Sequence, residues 1–332
     1  MLARYAGVTD PGRRRRRNED AYVAAPPLFA IADGMGGAQA GQVASGLAAA
    51  VLEEAKGDEH SDVKGEERVA SLIMEANRRV FQRSNEDAAT SGMGTTMTVA
   101  LVDNSDGTIA FGHVGDSRAY RIRGGELEQL TDDHSLVGEL VRSGRLSPEE
   151  AETHPQRSVI TRALGTEADV DVDTFTTEAE PNDIYLLCSD GLTDMISTRE
   201  ILSVVEESRD LDAAARSLID AANAGGGEDN ITVVLFQIDG AATNGDPGET
   251  ARMPAAVAAT PHEHDDDEDT LTPLDAVPAV DTAVIPAAAV REQLQEAESR
   301  PPDGPRRRIL PLVVLILLLV ALVALAVWGL TR

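Results

Sequence analysis

Three aspartates of this chain stand beside glycine at one end of an apolar segment. Asp33 and Asp190 end such segments and are each followed by glycine, and Asp229 follows a glycine run and precedes another apolar segment. An aspartate at the end of a buried strand offers a hard anionic oxygen, and glycine lets backbone carbonyls approach an ion closely. One Asp-Gly pair is typical of an ordinary turn. Three acids in such settings indicate a site for a divalent metal ion.

Two further segments place charged residues near chain turns. A β-rich segment ends at Asp116, which glycine precedes, and the five arginines 13–17 stand just before Glu19 and Asp20. The planar arginine fork suits phosphate, and the two acids suit the surroundings of a metal. For most of the five arginines, a plain basic surface patch is the alternative interpretation.

Composition limits the class of protein. The chain has 332 residues and a formal net charge of -28, which fits one large domain or two small ones and argues against general nucleic-acid binding. Its single cysteine, Cys188, cannot form an internal disulfide and lies in an apolar segment. We therefore expect a buried thiol and a reducing, cytosolic compartment.

The C-terminal region predicts a membrane anchor. Residues 309–330 contain no charged side chain and are long enough, as a helix, to cross a hydrocarbon layer about 30 Å thick. Arginines 306–308 stand directly before this segment, and by the positive-inside tendency the upstream chain faces the cytoplasm. The prediction is a single-pass protein of the cell membrane with its folded domain in the cytoplasm.

Residues 240–305 are predicted to form a disordered linker. They are rich in alanine, proline, threonine and acids and have no sustained periodic pattern of apolar residues. Within it, residues 262–269 carry histidines and acids that could bind a cation. A solvated, self-repelling charge run is the favoured alternative. The folded domain is then residues 1–239.

This domain mixes strands and helices. Two antiparallel hairpins are predicted from β-rich runs flanking turn residues, with strands at 95–102, 108–114, 119–122 and 127–130. Apolar residues spaced at three and four predict helices at 39–55, 66–87, 199–207 and 211–224. Hairpin-linked strands with helices grouped between them favour helices packed on antiparallel sheets.

Residues 134–165 are predicted to form a smaller flap, since proline and glycine interrupt its second half. His134 and His154 bracket much of this segment, and a solvated surface position is favoured for both over substrate contact. His113 lies in an apolar segment and is interpreted as a hydrogen-bonded core residue.

Six short motifs occur together, in one order, along residues 3–238. They are Asn18-Glu19-Asp20, Ala32-Asp33-Gly34-Met35-Gly36-Gly37, Gly92-Met93-Gly94-Thr95-Thr96, Val114-Gly115-Asp116-Ser117-Arg118, Cys188-Ser189-Asp190-Gly191 and Glu228-Asp229-Asn230-Ile231-Thr232. The chain resembles the metal-dependent serine/threonine protein phosphatases, the PPM or type 2C family, and most closely the bacterial membrane-anchored branch. The resemblance implies an α+β fold, a four-layer α-β-β-α sandwich of two antiparallel sheets flanked by helices, with the C-terminal transmembrane helix added.

The resemblance also implies roles for individual residues. Two core Mn²⁺ or Mg²⁺ ions would be held by Asp33, which bridges them, the Gly34 carbonyl, Asp190 and Asp229. A third ion would be held by Asp116 and Asp190, and the backbone carbonyl of Ser158 is the nearest match for its flap ligand. Arg15 falls where the family binds phosphate, with Arg14 and Arg16 as alternatives, and Glu19 and Asp20 would support metal-bound water.

The implied reaction is attack of a metal-activated water on phosphoserine or phosphothreonine. Cys188 lies within a strand and no Cys-x5-Arg loop exists, which argues against a cysteine nucleophile. Met35 stands where some members carry a histidine as candidate general acid. Proton delivery must therefore differ here, and substrates with good leaving groups should suffer less.

The expected partners are phosphoproteins, including by analogy a membrane serine/threonine kinase, and no nucleic acid. The alternative is a catalytically inactive phosphopeptide-binding scaffold of the same fold, which a missing metal ligand would indicate. Asp33, Asp190 and Asp229 are all present. A metal-dependent nuclease uses similar carboxylates but is opposed by the acidic charge. The sequence does not indicate an oligomeric state.

Overall fold

The computed structural model describes residues 2–36, 40–56 and 63–239 and the pair 283–284. The strands are β1 (Leu2–Asp10), β2 (Asp20–Ala25), β3 (Leu28–Met35), β4 (Gly94–Thr95), β5 (Met97–Asp103), β6 (Thr108–Val114), β7 (Arg118–Arg123), β8 (Glu126–Gln129), β9 (Val159–Ile160), β10 (Asp173–Glu178), β11 (Ile184–Cys188), β12 (Ile231–Ile238) and β13 (Ala283–Val284). The helices are α1 (Ala40–Ala55), α2 (Gly65–Glu86), α3 (Leu136–Arg142), α4 (Pro148–Glu152), α5 (Asp190–Thr193), α6 (Thr198–Glu207) and α7 (Leu211–Gly225), with a 3₁₀ turn at Ala88–Thr90.

The strands form two antiparallel sheets. The first has the order β1-β12-β11-β7-β8, and the second has the order β10-β6-β5-β3-β2, with β4 paired to β3. Both hairpins predicted from the sequence are present, as the pairs β5–β6 and β7–β8. The pairing is antiparallel throughout these two sheets, as the turn residues between the strands predict.

The two sheets pack face to face around an apolar interior. Phe29 of β3 stacks on Phe236 of β12 with ring centroids 4.3 Å apart, and Tyr185 of β11 stacks on Phe236 at 5.1 Å. All three rings are buried. Since each sheet contributes alternate side chains to this layer, register is strongly specified on both.

Helices cover the two outer faces. Helices α1 and α2 pack on the second sheet through alanine, valine, leucine and isoleucine side chains, and α6 and α7 pack on the first. Ser197 caps α6 in a reciprocal capping box with Glu200, and the Asp210 side chain caps α7. The result is four layers, α-β-β-α, as the family resemblance implied, and the four predicted helices are present with ends that differ by at most one residue.

The predicted flap contains α3, α4 and β9. Of the predicted linker, residues 240–305, only Ala283 and Val284 are described, and they pair in parallel with Val159 and Ile160. The predicted membrane segment, residues 309–330, lies outside the described residues. Within the described part of the chain, no helix is long and apolar enough to cross a membrane.

Candidate active site

The motif residues meet at one end of the sandwich. Asp20 begins β2 and lies directly opposite Asp33 near the end of β3. The end of β11 and the start of β12 are neighbours in the first sheet, which brings the Asp190 and Asp229 loops to the same edge. The β6–β7 turn adds Asp116 to this end of the molecule. Residues far apart in sequence therefore share one site because antiparallel register aligns their strand ends.

Two threonines hold Asp33 in position. The Asp33 backbone N–H donates to the Thr96 hydroxyl at 3.0 Å, and the Thr95 hydroxyl donates to the Asp33 carbonyl at 2.9 Å. Both threonines are buried. The Gly-Met-Gly-Thr-Thr motif thus fixes the backbone of Asp33 from the neighbouring segment and leaves its carboxylate to the site.

Gly34 sits where a side chain has no room. A Cβ there would lie 2.1 Å from the Gly41 carbonyl oxygen and 2.5 Å from the Glu19 carbonyl oxygen. The Gly34 N–H donates to the same Glu19 carbonyl at 3.2 Å. This close packing of three backbone segments explains why glycine must follow Asp33.

Asp20 has a buried carboxylate, and one of its two oxygens accepts hydrogen bonds from two hydroxyl groups. The Ser189 and Thr232 hydroxyls donate to its Oδ2 at 2.9 and 2.5 Å, and its buried Oδ1 has no hydrogen-bond partner among the described residues. Burial, reinforced by the charge of Asp229, raises the pKa of Asp20 to about 6, although the two hydroxyl bonds oppose the shift.

The other acids raise each other's pKa. Burial raises the pKa of Asp33 well above its usual range, and the charges of Asp20, Asp190, Asp229 and Asp116 add to that effect. The pKa of Asp190 is raised by burial and then by Asp116 and Asp229. Burial, followed by the charge of Asp133, raises the pKa of Asp116 to about 7. The cluster therefore concentrates negative charge that a cation would neutralise.

Arg15 is the arginine that reaches these acids. Its Nη2 donates to Asp229 Oδ2 at 2.8 Å, and both side chains are partly buried. The charge and hydrogen bond of Asp229 raise the pKa of Arg15 against the opposing effect of burial. Of the three candidates Arg14, Arg15 and Arg16, the structure places Arg15 within the acidic cluster, while the other two are exposed.

Asn230 joins the arginine loop to the site. Its side-chain amide donates to the carbonyls of Pro11 and Arg17 at 3.0 and 2.9 Å and accepts from the Glu19 N–H at 2.8 Å. Gly12, at φ +76°, lies so close to the Asp229 carbonyl that a Cβ would approach it to 2.2 Å. The Asp-Asn motif therefore positions both the acid and the loop that carries Arg15.

The donor set fits a hard divalent cation. The buried oxygens Asp20 Oδ1, Asp190 Oδ1 and Glu19 Oε1 lack hydrogen-bond partners among the described residues. Oxygen ligands from carboxylates and backbone carbonyls are those that Mg²⁺ and Mn²⁺ prefer. Within the described ranges, no three metal-ligating side chains already surround one point, and Asp229 is paired with Arg15 instead. The metal ligands stay predictions, with an oxygen-rich, electronegative cluster in their favour.

The flap contacts the edge of this cluster. Arg157 Nε lies 3.5 Å from Asp194 Oδ2, and Asp194 adds to the charge that raises the pKa of Asp190. Ser158 is the next residue, so its segment lies near the site, but within the described part of the chain it makes no hydrogen bond to Asp116 or Asp190. Met35 is buried against Ile160 and Ala163 of the flap.

The sequence interpretation did not identify Asp194. It lies four residues after Asp190, and its N–H donates to the Asp190 carbonyl at 2.8 Å. Two acids spaced by four on a helical turn share one face, which is the signal that could have revealed it. Burial raises the pKa of Asp194, as it does for Asp33, Asp116 and Asp190.

The surface position predicted for His134 is wrong. Its side chain is only 3% exposed, its Nδ1 accepts from the Gly115 N–H at 3.0 Å, and its ring lies 4.7 Å from that of His113. The sequence around His134 does not indicate this burial, because the β6–β7 turn that covers its ring comes from another part of the chain. His113 is buried and hydrogen-bonded to Thr98 and to the Asp132 carbonyl, as predicted.

The fold, the acid cluster and Arg15 are together typical of one class of protein. This class is the hydrolases of phosphate esters that use metal ions bound by oxygen ligands. Comparison with known proteins makes the class specific. A family model described as protein phosphatase 2C matches residues 13–224. The chain therefore belongs to the protein phosphatase 2C family, and it is a serine/threonine protein phosphatase.

Relatives and solved structures agree with this assignment. The serine/threonine phosphatase stp of Listeria monocytogenes serotype 4b is 42% identical over 239 residues, covering 70% of this chain and 94% of that protein. The serine/threonine protein phosphatase PstP of Mycobacterium tuberculosis is 38% identical over 307 residues, covering 92% of this chain and 55% of that protein. A crystal structure of the Mycobacterium tuberculosis phosphatase superposes with a TM-score of 0.68 at 40% identity, over 72% of this chain and all of that one.

A further solved structure shows which metal a relative of this chain binds. The PstP catalytic domain in complex with two manganese ions matches with a TM-score of 0.66 at 38% identity, over 72% of this chain and 99% of that one. Phosphatases of this family use Mn²⁺ or Mg²⁺. The oxygen-rich cluster of this chain is consistent with the same choice of metal.

Proposed function

We propose that this protein hydrolyses phosphoserine and phosphothreonine in proteins through two core divalent ions bound at the acid cluster. Asp33, the Gly34 carbonyl, Asp190 and Asp229 would hold the ions, as their positions in the family motifs imply. The observation that carries the proposal is the convergence of these acids beside the half-buried Arg15, which bonds Asp229, with the pKa values of Asp33 and Asp190 raised by burial and by the surrounding negative charge.

Bound divalent ions would supply an activated water and neutralise charge on the phosphoryl group. The chain itself contributes orientation and charge. Arg15 would bind the phosphoryl oxygens, and the support is that its guanidinium donates to the Asp229 carboxylate at the same site. Glu19 and Asp20 would orient water, and the support is that each has a buried oxygen without a described partner.

The third-ion site and the general acid belong to the same proposal. Asp116 and Asp190 would hold a third ion, with the Ser158 carbonyl as the flap ligand. Their closeness is supported by the effect of Asp116 on the pKa of Asp190. Met35 is packed against the flap and has no ionisable proton, so leaving-group protonation would come from a bound water or from another group.

We also propose that the phosphatase domain is tethered to the cell membrane and faces the cytoplasm, where it opposes a membrane serine/threonine kinase. The support is in the sequence: residues 309–330 carry no charge, and arginines 306–308 precede them. The linker, residues 240–305, would let the domain reach phosphoproteins near the membrane.

The test of the catalytic proposal is hydrolysis of a phosphothreonine peptide by the full chain with Mn²⁺. We expect turnover by the wild type and a loss of at least about 100-fold in Asp33→Asn and Asp229→Asn, because each change removes a charged ligand. Asp220→Asn, an exposed position on α7, is the matched control and should retain full turnover.

Wild-type protein that binds the peptide without turning it over would refute the enzyme and support the inactive phosphopeptide-binding scaffold. Full activity in both site variants would refute the assigned ligands. Activity that survives complete removal of divalent ions would refute the metal mechanism.

A further inference from the structure

Four exposed arginines flank the catalytic candidate on the same loop. Arg13, Arg14, Arg16 and Arg17, the arginine rim, are exposed, whereas Arg15 between them is half-buried and bonded to Asp229. The proposed mechanism uses only Arg15. The rim therefore presents positive charge at the entrance of the site without a role in the chemistry.

The backbone of this loop is held at several points. The N–H groups of Arg13 and Arg14 donate to the Gly227 carbonyl at 2.7 and 3.1 Å. The Asn230 amide donates to the carbonyls of Pro11 and Arg17, one on each side of the run. Because both ends of the run are anchored, the rim side chains start from fixed positions around Arg15.

The rim reverses the charge of its surroundings. The chain has 29 basic and 57 acidic residues, so most of its surface repels acidic peptides. Five of the 29 basic residues are consecutive, and the middle one, Arg15, bonds Asp229 at the candidate active site. A substrate segment with negative charge near the phosphate would be attracted by the rim, although the rest of the acidic surface repels it. The rim would therefore select substrates that carry this negative charge.

We propose that the arginine rim recognises acidic residues flanking the phosphorylated serine or threonine of the substrate. This inference rests on the proposed function, in which Arg15 binds the phosphate itself. Neighbouring residues of an extended peptide lie about 3.5 Å apart, so carboxylates one to four positions from the phosphoresidue come within reach of the rim. Arginine binds carboxylates through paired hydrogen bonds, which adds geometric selectivity to the charge.

An anionic membrane is the competing partner for such a cluster. The position of the rim favours a peptide, since the loop that carries it also carries Arg15 and borders Asp229. A membrane seated on the rim would cover the entrance that the phosphoprotein must use.

The experiment compares two phosphothreonine peptides that differ only in the two residues on each side, glutamate in one and glutamine in the other. The full chain is used with Mn²⁺, and the readout is the ratio of kcat/KM for the two peptides. We expect the wild type to favour the acidic peptide by about tenfold, as several exposed ion pairs would give. The preference should shrink as salt is raised from low to high concentration.

Two double variants, R13Q/R14Q and R16Q/R17Q, should each lower the ratio by about threefold. R209Q/R216Q is the matched control, because it removes the same charge from exposed positions of the α6–α7 turn and α7. Arg209 precedes the N-terminus of α7, about 20 Å along that helix from the end that leads to the site. The ratio should be unchanged in this control.

Equal kcat/KM for the two peptides in the wild type, or an unchanged ratio in both rim variants, would overturn the inference. A fall in the control as large as in the rim variants would do the same, since it would show a general effect of net charge. Weaker binding of the rim variants to phosphatidylserine vesicles with an unchanged ratio would assign the rim to a membrane instead. Hydrolysis of neither peptide by the wild type would overturn the proposed function, and the inference with it, whereas hydrolysis of both without preference would overturn the inference alone.

Discussion

At the scale of single residues, the site is held in an electrostatically costly arrangement. Asp116 is only 7% exposed, and burial, followed by the charges of Asp133 and Asp194, raises its pKa to about 7 although Arg118 opposes the shift. Active sites commonly store such unfavourable contacts because the bound ligand relieves them. A buried acid without a bonded cationic partner among the described residues, such as Asp116, should therefore stabilise the ion-bound protein and destabilise the ion-free one.

The substitution Asp116→Asn tests whether this acid destabilises the ion-free protein and stabilises the ion-bound one. In the presence of a chelator we expect the variant to unfold at a higher urea concentration than the wild type, by about 1 kcal/mol, because one like charge is removed from the cluster. Adding Mn²⁺ should stabilise the wild type more than the variant. Asp220→Asn removes an exposed charge and is the control. A variant that is less stable than the wild type in chelator would show that Asp116 is held by favourable contacts instead.

At the scale of elements, His134 ties the flap to the sheet. Its backbone N–H donates to the Gly115 carbonyl at 2.7 Å, and its own carbonyl accepts from the Thr161 N–H at 2.8 Å. Its ring accepts from the Gly115 N–H. The beginning of the flap, its final segment and the β6–β7 turn thus share one buried residue. Movement of this residue would displace both the flap and the turn that carries Asp116.

His134 also gives the fold a defined acid sensitivity. Burial, reinforced by His113 and Arg162, lowers the pKa of His134 to about 3. Between an unfolded-state pKa of about 6.5 and that value, the unfolded chain takes up a proton that the folded chain does not. Stability from this residue is therefore present above about pH 6.5 and is lost as the pH falls toward 3.

His134→Ala should lower the free energy of unfolding at pH 7.5 by about 2 kcal/mol, since the Gly115 N–H loses its buried acceptor. It should also flatten the loss of stability with acid between pH 6.5 and 4, measured by urea unfolding. His154→Ala changes a partly exposed flap histidine and is the control. Equal acid slopes in the wild type and the His134 variant would refute this role for His134.

At the scale of the whole molecule, the catalytic domain carries its own core. The described residues of 2–239 form both sheets, their shared interior and the helical layers on either side. Every proposed catalytic residue also lies in this range. We therefore expect turnover by this domain without the predicted linker or the predicted membrane segment.

Deleting residues 309–332 should move the protein from the membrane fraction to the soluble fraction. Turnover of p-nitrophenyl phosphate, a small substrate, should stay within about twofold of the full chain, because a long linker leaves the domain independent of its anchor. Fractionation and steady-state kinetics check the two parts. Membrane association that persists after the deletion would refute the anchor, and a strong loss of turnover would show that this segment does more than tether.

Much of the fold could be predicted from local patterns. The β5–β6 hairpin follows from β-rich runs around Asp103-Asn104-Ser105-Asp106-Gly107, and α7 follows from apolar spacing after the Asp210 cap. The candidate acids Asp33, Asp190 and Asp229 could be selected because each stands beside glycine at the end of an apolar segment. These signals depend only on residues that are neighbours in the sequence, so they can be recognised without the tertiary structure.

What the sequence by itself determined is therefore the set of elements, the family and the residue types able to do the chemistry. Only the tertiary structure bonded Arg15 to Asp229, added Asp194 to the acids and buried His134. The physical reason is the same in each case: which side chain faces the site depends on contacts with segments distant in sequence. Arg15 meets an acid 214 positions away. The family resemblance favoured Arg15 but left Arg14 and Arg16 as alternatives, and this long-range contact distinguishes it from them.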